Sequence, residues 1–265
     1  MITCASRQIS LRQPLALLVM GAVLLACALA LFCGSADQEV DELIETGLNH
    51  CDAGQFDSAA SCFEEVLQGD STLSVVAYYL ALAYLNLNRP QDAITQLDRA
   101  ISRDTLDYRL YYHRAVAYER LALYEEAFAD LSKCLSLNPS YVDAYYAMGL
   151  THLHAGEYDA AIVELTNAIE LDPMYAGAYN TRGVSYCRLG LYTSALGDFR
   201  RAVDIDPDYP YTYHSMACAY EEMGEWDSAI KAIETLLYHY TPDYDRDKDS
   251  LRVKILEMSE KMSAQ

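Results

Sequence analysis

Hydrophobic and small residues recur along this chain with a period of 34, and the period is clearest between Val142 and Tyr209. Two consecutive segments, VDAYYAMGLTHLHAGEYDAAIVELTNAIELDPMY and AGAYNTRGVSYCRLGLYTSALGDFRRAVDIDPDY, share small and aromatic residues at the same places. Gly149 matches Gly183, and Ala161 matches Ala195. Such a fixed period indicates repeated supersecondary units that pack on one another.

The same frame extends in both directions without insertion or deletion, so six copies fill residues 40–243. The copies begin at Val40, Ser74, Tyr108, Val142, Ala176 and Pro210. The twentieth place is alanine in every copy, and the eighth place is always glycine or alanine. Small residues at these two places let a pair of helices approach closely, while a larger residue at the twenty-fourth place fills the space beside them. Each copy is therefore predicted to form a helical hairpin, whose second helix stops near Pro139, Pro173 or Pro207 in the central copies.

This pattern resembles the tetratricopeptide repeat family, in which each 34-residue repeat is a pair of helices. The resemblance implies an all-α superhelical solenoid over residues 40–243, used as a non-catalytic scaffold for protein binding. Terminal copies depart from the pattern, for example with Leu43 and His50 in places that are usually aromatic, as expected of repeats that cap the stack. Residues 244–265 carry Leu251, Ile255 and Met258 at helical spacing, with Met262 continuing the stripe, and are predicted to form a capping helix.

An apolar segment precedes the repeats. Residues 1–13 carry Arg7 and Arg12, residues 14–33 contain nineteen consecutive uncharged positions from Leu15 to Cys33, and residues 34–39 form a polar linker. The segment is long enough to span a bilayer, and we expect an uncleaved anchor. A lipoprotein signal modified at Cys27 and a cleaved secretory signal remain alternatives. All three place the repeats outside the cytoplasm, as in the bacterial envelope repeat proteins that the chain resembles.

The chain is strongly acidic, with 39 Asp and Glu against 19 Lys and Arg and a formal charge of −20. This balance argues against nucleic acid as a partner, because phosphates need basic side chains. It is compatible with solubility or with a basic partner.

No pattern of catalytic or metal-binding residues stands out from the repeats. Glycine-rich phosphate loops, GxSxG and HExxH are missing from the sequence, and we expect neither enzymatic activity nor a cofactor or metal. The eight cysteines form no zinc-type spacing. Cys187 and Cys218 fall on first helices of adjacent repeats and face the same way, so a disulfide between them stays open.

The resemblance implies that a partner binds the inner groove, which first helices line with their second, fifth, ninth, twelfth and thirteenth places. Ile44 and Leu48 stand where chaperone-binding members have Lys and Asn, so a carboxylate clamp for chaperone tails is not expected. A protein or peptide is the predicted partner, and a glycan stacked on the tyrosines, in an accessory of a cell-envelope enzyme system, is the alternative. The predicted groove residues are Tyr78, Arg109, Tyr112, Val116, Arg120, Tyr146, Leu150, Asn180, Arg188, Tyr211 and His214.

Overall fold

The computed structural model describes residues 38–238 and 248–263, and this part of the chain consists of thirteen α-helices without a strand. The helices are α1 (38–52), α2 (Phe56–Gly69), α3 (Ser74–Asn86), α4 (Pro90–Arg103), α5 (Tyr108–Arg120), α6 (Tyr124–Leu137), α7 (Val142–Ala155), α8 (Tyr158–Leu171), α9 (Ala176–Arg188), α10 (Tyr192–Ile205), α11 (Pro210–Glu222), α12 (Trp226–Tyr238) and α13 (Lys248–Ser263). Within these residues, no helix has the length and apolar character needed to cross a bilayer. The predicted anchor at residues 14–33 lies outside the described part.

The helices follow the 34-residue frame. From Ser74 onward every first helix begins at the first place of its repeat, and all six second helices begin at the seventeenth place. Pro90 occupies that place in the second repeat and is the first residue of α4, where its missing N–H costs nothing. The central second helices end at Leu137, Leu171 and Ile205, two residues before a proline, as predicted.

The turn inside each hairpin depends on one left-handed residue at the fifteenth place. Gly54, Gly156, Gly190 and Gly224 have φ between 71° and 83° there. In the fourth repeat the next residue, Glu157, donates its backbone N–H to the carbonyl of His152 at 2.8 Å, which ends the first helix in a Schellman-like turn. Asn88 and Ala122 take the same conformation with φ of 56°. Ala122 therefore carries strain that glycine at this place avoids.

The contacts divide the chain into two compact units, up to Asn88 and from Arg89 onward. In the first unit, α2 packs against α3, and the fully buried ring of Phe63 rests on α1. A Cβ atom on Gly47 would come within 2.6 Å of Cε1 of that ring. The glycine thus lets Phe63 approach the α1 backbone.

The second unit is built from the hairpins α5–α6, α7–α8, α9–α10 and α11–α12, preceded by α4. The predicted contact between Gly149 and Ala161 is confirmed, because a Cβ atom on Gly149 would lie 3.3 Å from the carbonyl oxygen of Ala161. The same Cβ would lie 2.5 Å from Cγ of Leu165, which is fully buried. Small residues therefore bring the two helices of this hairpin together, as the repeat pattern indicates.

Helix α13 packs against α12. Leu251 and Met258 join the buried cluster around Ile233 and Leu236, and the Nζ atom of Lys254 lies 2.8 Å from a carboxylate oxygen of Glu221 on α11. Met262, predicted to continue the apolar stripe, is 40% exposed and lies outside that cluster. The apolar contact of α13 thus ends one turn before the helix does.

First helices in the second unit contact one another directly: α5 with α7, α7 with α9, and α9 with α11. Among the described residues, consecutive second helices make no contact of this extent. The first helices therefore lie closer together, and we call the surface that α5, α7, α9 and α11 form the inner face.

Candidate functional site

Four of the predicted groove residues meet around one cavity on the inner face. Tyr112 and Val116 of α5 and Tyr146 and Leu150 of α7 line a cavity of about 170 Å³, with Leu131 of α6 at its floor. Its remaining walls are largely apolar, apart from Thr151 and from Glu119 at one side. We call it the tyrosine cavity; an apolar space of this size can hold a hydrocarbon group.

Three further tyrosines stand beside the predicted ones. Tyr141, Tyr175 and Tyr209 occupy the last place of their repeats, where each is the N-cap residue of the next first helix. The ring of Tyr141 lies 5.2 Å from that of Tyr112, measured between centroids. The corresponding distance from Tyr175 to Tyr146 is 4.9 Å.

These tyrosines were not predicted as groove residues, although their recurrence every 34 residues was a usable signal. The ring of Tyr209 lies 5.4 Å from that of Tyr211. We call the six residues the tyrosine row: Tyr112, Tyr141, Tyr146, Tyr175, Tyr209 and Tyr211.

Tyr175 and Tyr209 of the row have raised pKa values. Burial raises the pKa of Tyr209 to about 12, and burial together with the carboxylate of Asp143 raises the pKa of Tyr175 further. The hydroxyl of Tyr175 donates a hydrogen bond to Oδ1 of Asp143 at 3.2 Å. Tyr175 and Tyr209 therefore keep their protons and offer aromatic surface and hydroxyl groups rather than charge.

A second cavity, of about 510 Å³, lies between α9 and α11. The predicted groove residues Arg188 and His214 line it, together with Cys187 and Cys218, and Phe199 contributes to its wall. We call it the thiol cavity. It occupies the same place in the repeat as the tyrosine cavity, because Phe199 and Leu131 both stand at the twenty-fourth place.

The other predicted groove residues lie in neither cavity. Arg109 is exposed and pairs with Asp107, its Nη2 atom 2.7 Å from Oδ2, and Arg120 is exposed at the end of α5. Tyr211 is 55% exposed, and Tyr78 is half-buried in the first unit, with its ring 5.5 Å from that of Tyr79.

Asn180 is buried to 8% exposure, and its Oδ1 atom has no hydrogen-bond partner among the described residues. Its repeat position predicted a groove residue, whereas its burial leaves little of the side chain for a ligand to touch.

The histidines on α7 have packing and pairing roles. His152 stacks on Phe128 with ring centroids 4.2 Å apart, and its Nδ1 atom lies 2.7 Å from Glu157. His154 pairs with Glu119 across the inner face. In the described part of the chain, no group of three His, Cys, Asp or Glu side chains is placed to hold a metal ion.

Comparison with known proteins identifies the repeats. Four models described as tetratricopeptide repeat match residues 51–117, 108–141, 146–210 and 199–231. By sequence, no curated protein matches.

Among solved structures, the chain is similar to MamA, with 29% identity, a TM-score of 0.55, and coverage of 61% of this chain and 94% of that one. A tetratricopeptide repeat protein from Parabacteroides merdae ATCC 43184 shares 22% identity, with a TM-score of 0.67 and coverage of 83% and 89%. TTC0263 from Thermus thermophilus, a thermophilic protein of the same repeat type, shares 21% identity, with a TM-score of 0.58 and coverage of 69% and 99%. The last two likenesses concern the fold alone.

Proposed function

Because the chain belongs to the tetratricopeptide repeat family, we propose that it is a non-catalytic scaffold that binds a protein or peptide partner on its inner face. The observation that carries this proposal is the tyrosine cavity beside the tyrosine row. An apolar cavity of about 170 Å³ can take one large side chain of a partner. The surrounding rings supply contact area at a low cost in conformational entropy.

The energy of such an interface is expected to concentrate at the cavity. Tyr112 and Tyr146 are half-buried before any partner binds, so a bound side chain would complete their removal from water. Central aromatic residues of this kind are the usual hot spots of interfaces. Arg109 and Arg120 are exposed at the two ends of α5, where charges govern the rate of association more than the affinity.

A glycan is the competing ligand, because exposed tyrosine rings can also stack on sugars. Tyr211 is the most suitable ring for that contact, since it is the one member of the tyrosine row that is exposed. The tyrosine cavity favours a peptide, since its largely apolar walls would satisfy few of the hydroxyl groups of a sugar.

Binding selections with the full chain test the proposal. A displayed library of random peptides and a panel of immobilised glycans would be screened against the same protein preparation. We expect enriched peptides that share an apolar residue, and binding that falls sharply in Tyr112→Ala and Tyr146→Ala, with circular dichroism showing that each variant is folded.

Tyr238→Ala is the matched control, since Tyr238 is an 86% exposed tyrosine on a second helix, α12, and is not a member of the tyrosine row. Enrichment of glycans alone would contradict the peptide proposal. If the selected peptides bind all three variants equally, the binding site lies outside the inner face.

The proposal extends to the location of the repeats. Arg7 and Arg12 precede the apolar segment and Glu39 and Asp41 follow it, a charge asymmetry that favours a cytoplasmic N-terminus and repeats outside the membrane of a bacterial cell. Protease added to intact spheroplasts of the source bacterium should degrade the repeats. Complete protection of the repeats would contradict this part of the proposal.

A further inference from the structure

The thiol cavity repeats the architecture of the tyrosine cavity with different chemistry. Where α7 presents Tyr146 and Leu150 at the fifth and ninth places of its repeat, α11 presents His214 and Cys218. A third difference between the two cavities is Cys187 on α9, which stands at the place where α5 has Glu119. Two thiols and an imidazole thus replace an aromatic, an aliphatic and a carboxylate group.

The three groups line one cavity. His214 and Cys218 are four residues apart on one helix, and the Sγ atom of Cys218 lies 4.0 Å from Nδ1 of His214. Cys187 lines the same cavity from α9, and Cα atoms of α9 and α11 approach each other within 8 Å at several places. A disulfide needs Cα atoms within roughly 7 Å, a separation of the order at which these two helices pack over part of their length.

We propose that Cys187 and Cys218 form an oxidisable dithiol, which a small-molecule disulfide converts to an intramolecular disulfide joining α9 to α11. Both thiols are free in the structure. This inference concerns the chain's own chemistry and stands apart from the identity of any partner.

The reaction begins at Cys218. Its proton passes to Nδ1 of His214, and the Sγ thiolate attacks one sulfur of the small disulfide. The bond between the two sulfurs of that disulfide breaks, and the departing thiolate takes up the proton. The product is a mixed disulfide on Cys218 and one molecule of small thiol.

Cys187 then completes the exchange. Its thiolate attacks the Cys218 sulfur, a bond forms between the two protein sulfurs, and the second small thiolate leaves and is protonated by the proton that Cys187 gave up. In total, two protein thiols are oxidised to one disulfide, and one small disulfide is reduced to two thiols.

Cys218 is assigned the first step because Nδ1 of His214 lies 4.0 Å from its Sγ atom. Burial, Glu221 and Glu222 raise the pKa of Cys218, whereas Lys254 of α13 and Arg188 of α9 act in the opposite direction. Burial raises the pKa of Cys187 to about 11, with a further increase from Cys218 and Glu222 and only Arg188 opposing. Both thiolates are scarce near neutral pH, so the reaction should accelerate as the pH rises.

Exchange with oxidised glutathione tests the proposal on the full chain. Reduced protein would be incubated with oxidised glutathione at pH 7 and pH 9, quenched by alkylation, and its disulfides mapped by peptide mass spectrometry. We expect a Cys187–Cys218 linkage within one molecule as the main new bond among the five cysteines of the described part, forming faster at pH 9.

Two variants separate the roles. His214→Asn should slow formation of the linkage at pH 7 by roughly tenfold or more, as for the loss of a positioned base, while leaving its final yield unchanged. Cys187→Ser should leave Cys218 as a stable mixed disulfide with glutathione.

Cys134 provides an internal comparison, because it is fully buried and burial raises its pKa to about 12. The Cys134 thiol should remain reduced during the incubation and be recovered in its alkylated form. The proposal is overturned if Cys187 and Cys218 stay reduced, if either pairs mainly with another cysteine, or if their disulfide joins two molecules. Circular dichroism of each variant keeps these outcomes separate from misfolding.

Discussion

Arg182 binds Asp198 with two parallel hydrogen bonds: its Nε atom donates to Oδ2 and its Nη2 atom to Oδ1, both at 2.8 Å. The pair joins α9 to α10 inside the fifth repeat. The same guanidinium donates from Nη1 to Oγ1 of Thr166 on α8 at 3.0 Å, so it also ties this repeat to the one before it. Arg114 and Asp130 repeat the arrangement in the third repeat, with Asp98 of α4 in place of Thr166.

Breaking this pair on one side should be costly. The side chains of Arg182 and Asp198 are only 16% and 11% exposed, so Arg182→Met would leave a nearly buried carboxylate without its partner. We expect the free energy of unfolding to fall by about 3 kcal/mol. Urea denaturation of the variant and the wild type measures the difference.

The double variant is the control for that prediction. The sixth repeat has Met216 and Ala232 at the two places, which shows that the hairpin accepts an apolar pair there. Adding Asp198→Ala to Arg182→Met should therefore recover much of the lost stability. A double variant as unstable as the single one would show that packing of the arginine stem, rather than the unpaired charge, carries the effect.

Ala122→Gly should stabilise the protein. Ala122 has a φ of 56° in a turn where four other repeats have glycine, and left-handed backbone costs a residue with a Cβ atom about 1 kcal/mol. The melting temperature of the variant should rise. The reciprocal change Gly156→Ala, at a φ of 83°, should lower it. Shifts of the same sign in both variants would contradict the strain argument.

The sequence predicted the repeat frame well because packing repeats every 34 residues. The contact between Gly149 and Ala161 and the first residues of the helices follow from that frame. The tyrosine row was predicted only in part. The missed tyrosines stand at the last place of a repeat, between two helices, where each is the N-cap residue of the next helix. The direction of such a side chain depends on the backbone conformation of the N-cap residue. For Tyr141 that backbone is extended, and it brings the ring beside Tyr112.

Asn180 shows why repeat position alone does not decide exposure. It stands at the same fifth place as Tyr112 and Tyr146, yet it is buried. Side chains on adjacent helices determine how much of a short residue such as Asn180 stays accessible. The 34-residue period gives the place of Asn180 in the repeat, but it does not give the volumes of the side chains that surround it. The rings of Tyr112 and Tyr146 also pack partly against core clusters, so alanine substitutions there affect the fold as well as the cavity.

Asp107 should contribute stability that depends on pH. Its side chain is the N-cap of α5, accepting a hydrogen bond from the backbone N–H of Arg109 at 2.9 Å, and hydrogen bonds from the Arg109 side chain hold the pKa of its carboxyl below the ordinary value. A lowered pKa in the folded state means that the contribution is complete above the unfolded value, near pH 4, and disappears as the pH falls through the folded value.

Asp107→Ala should therefore lower the free energy of unfolding at pH 7 by about 1 kcal/mol, and the gap to wild type should narrow below about pH 4. Denaturation curves at pH 7, 5 and 3 measure the gap. Asp159→Ala is the comparison, because Asp159 is an exposed acid in the first turn of α8. A gap that stays constant from pH 7 to pH 3 would show that the effect of Asp107 is independent of its charge.

Filling the tyrosine cavity should block peptide binding while the fold is kept. Val116 is half-buried on the cavity wall, and Val116→Phe adds a ring to a cavity of about 170 Å³. This change leaves Tyr112 and Tyr146 in place, so it tests the cavity without removing core contacts of the tyrosines.

Val184→Phe is the matched control, since Val184 stands at the same ninth place on the wall of the larger thiol cavity, which one ring cannot fill. We expect peptides selected on the wild type to lose about 2 kcal/mol of binding free energy with Val116→Phe, about a thirtyfold rise in Kd, and much less with Val184→Phe. Isothermal titration calorimetry measures both, and a thermal melt checks that each variant is folded. Equal affinity of the wild type and a folded Val116→Phe variant would exclude the tyrosine cavity as the anchor site.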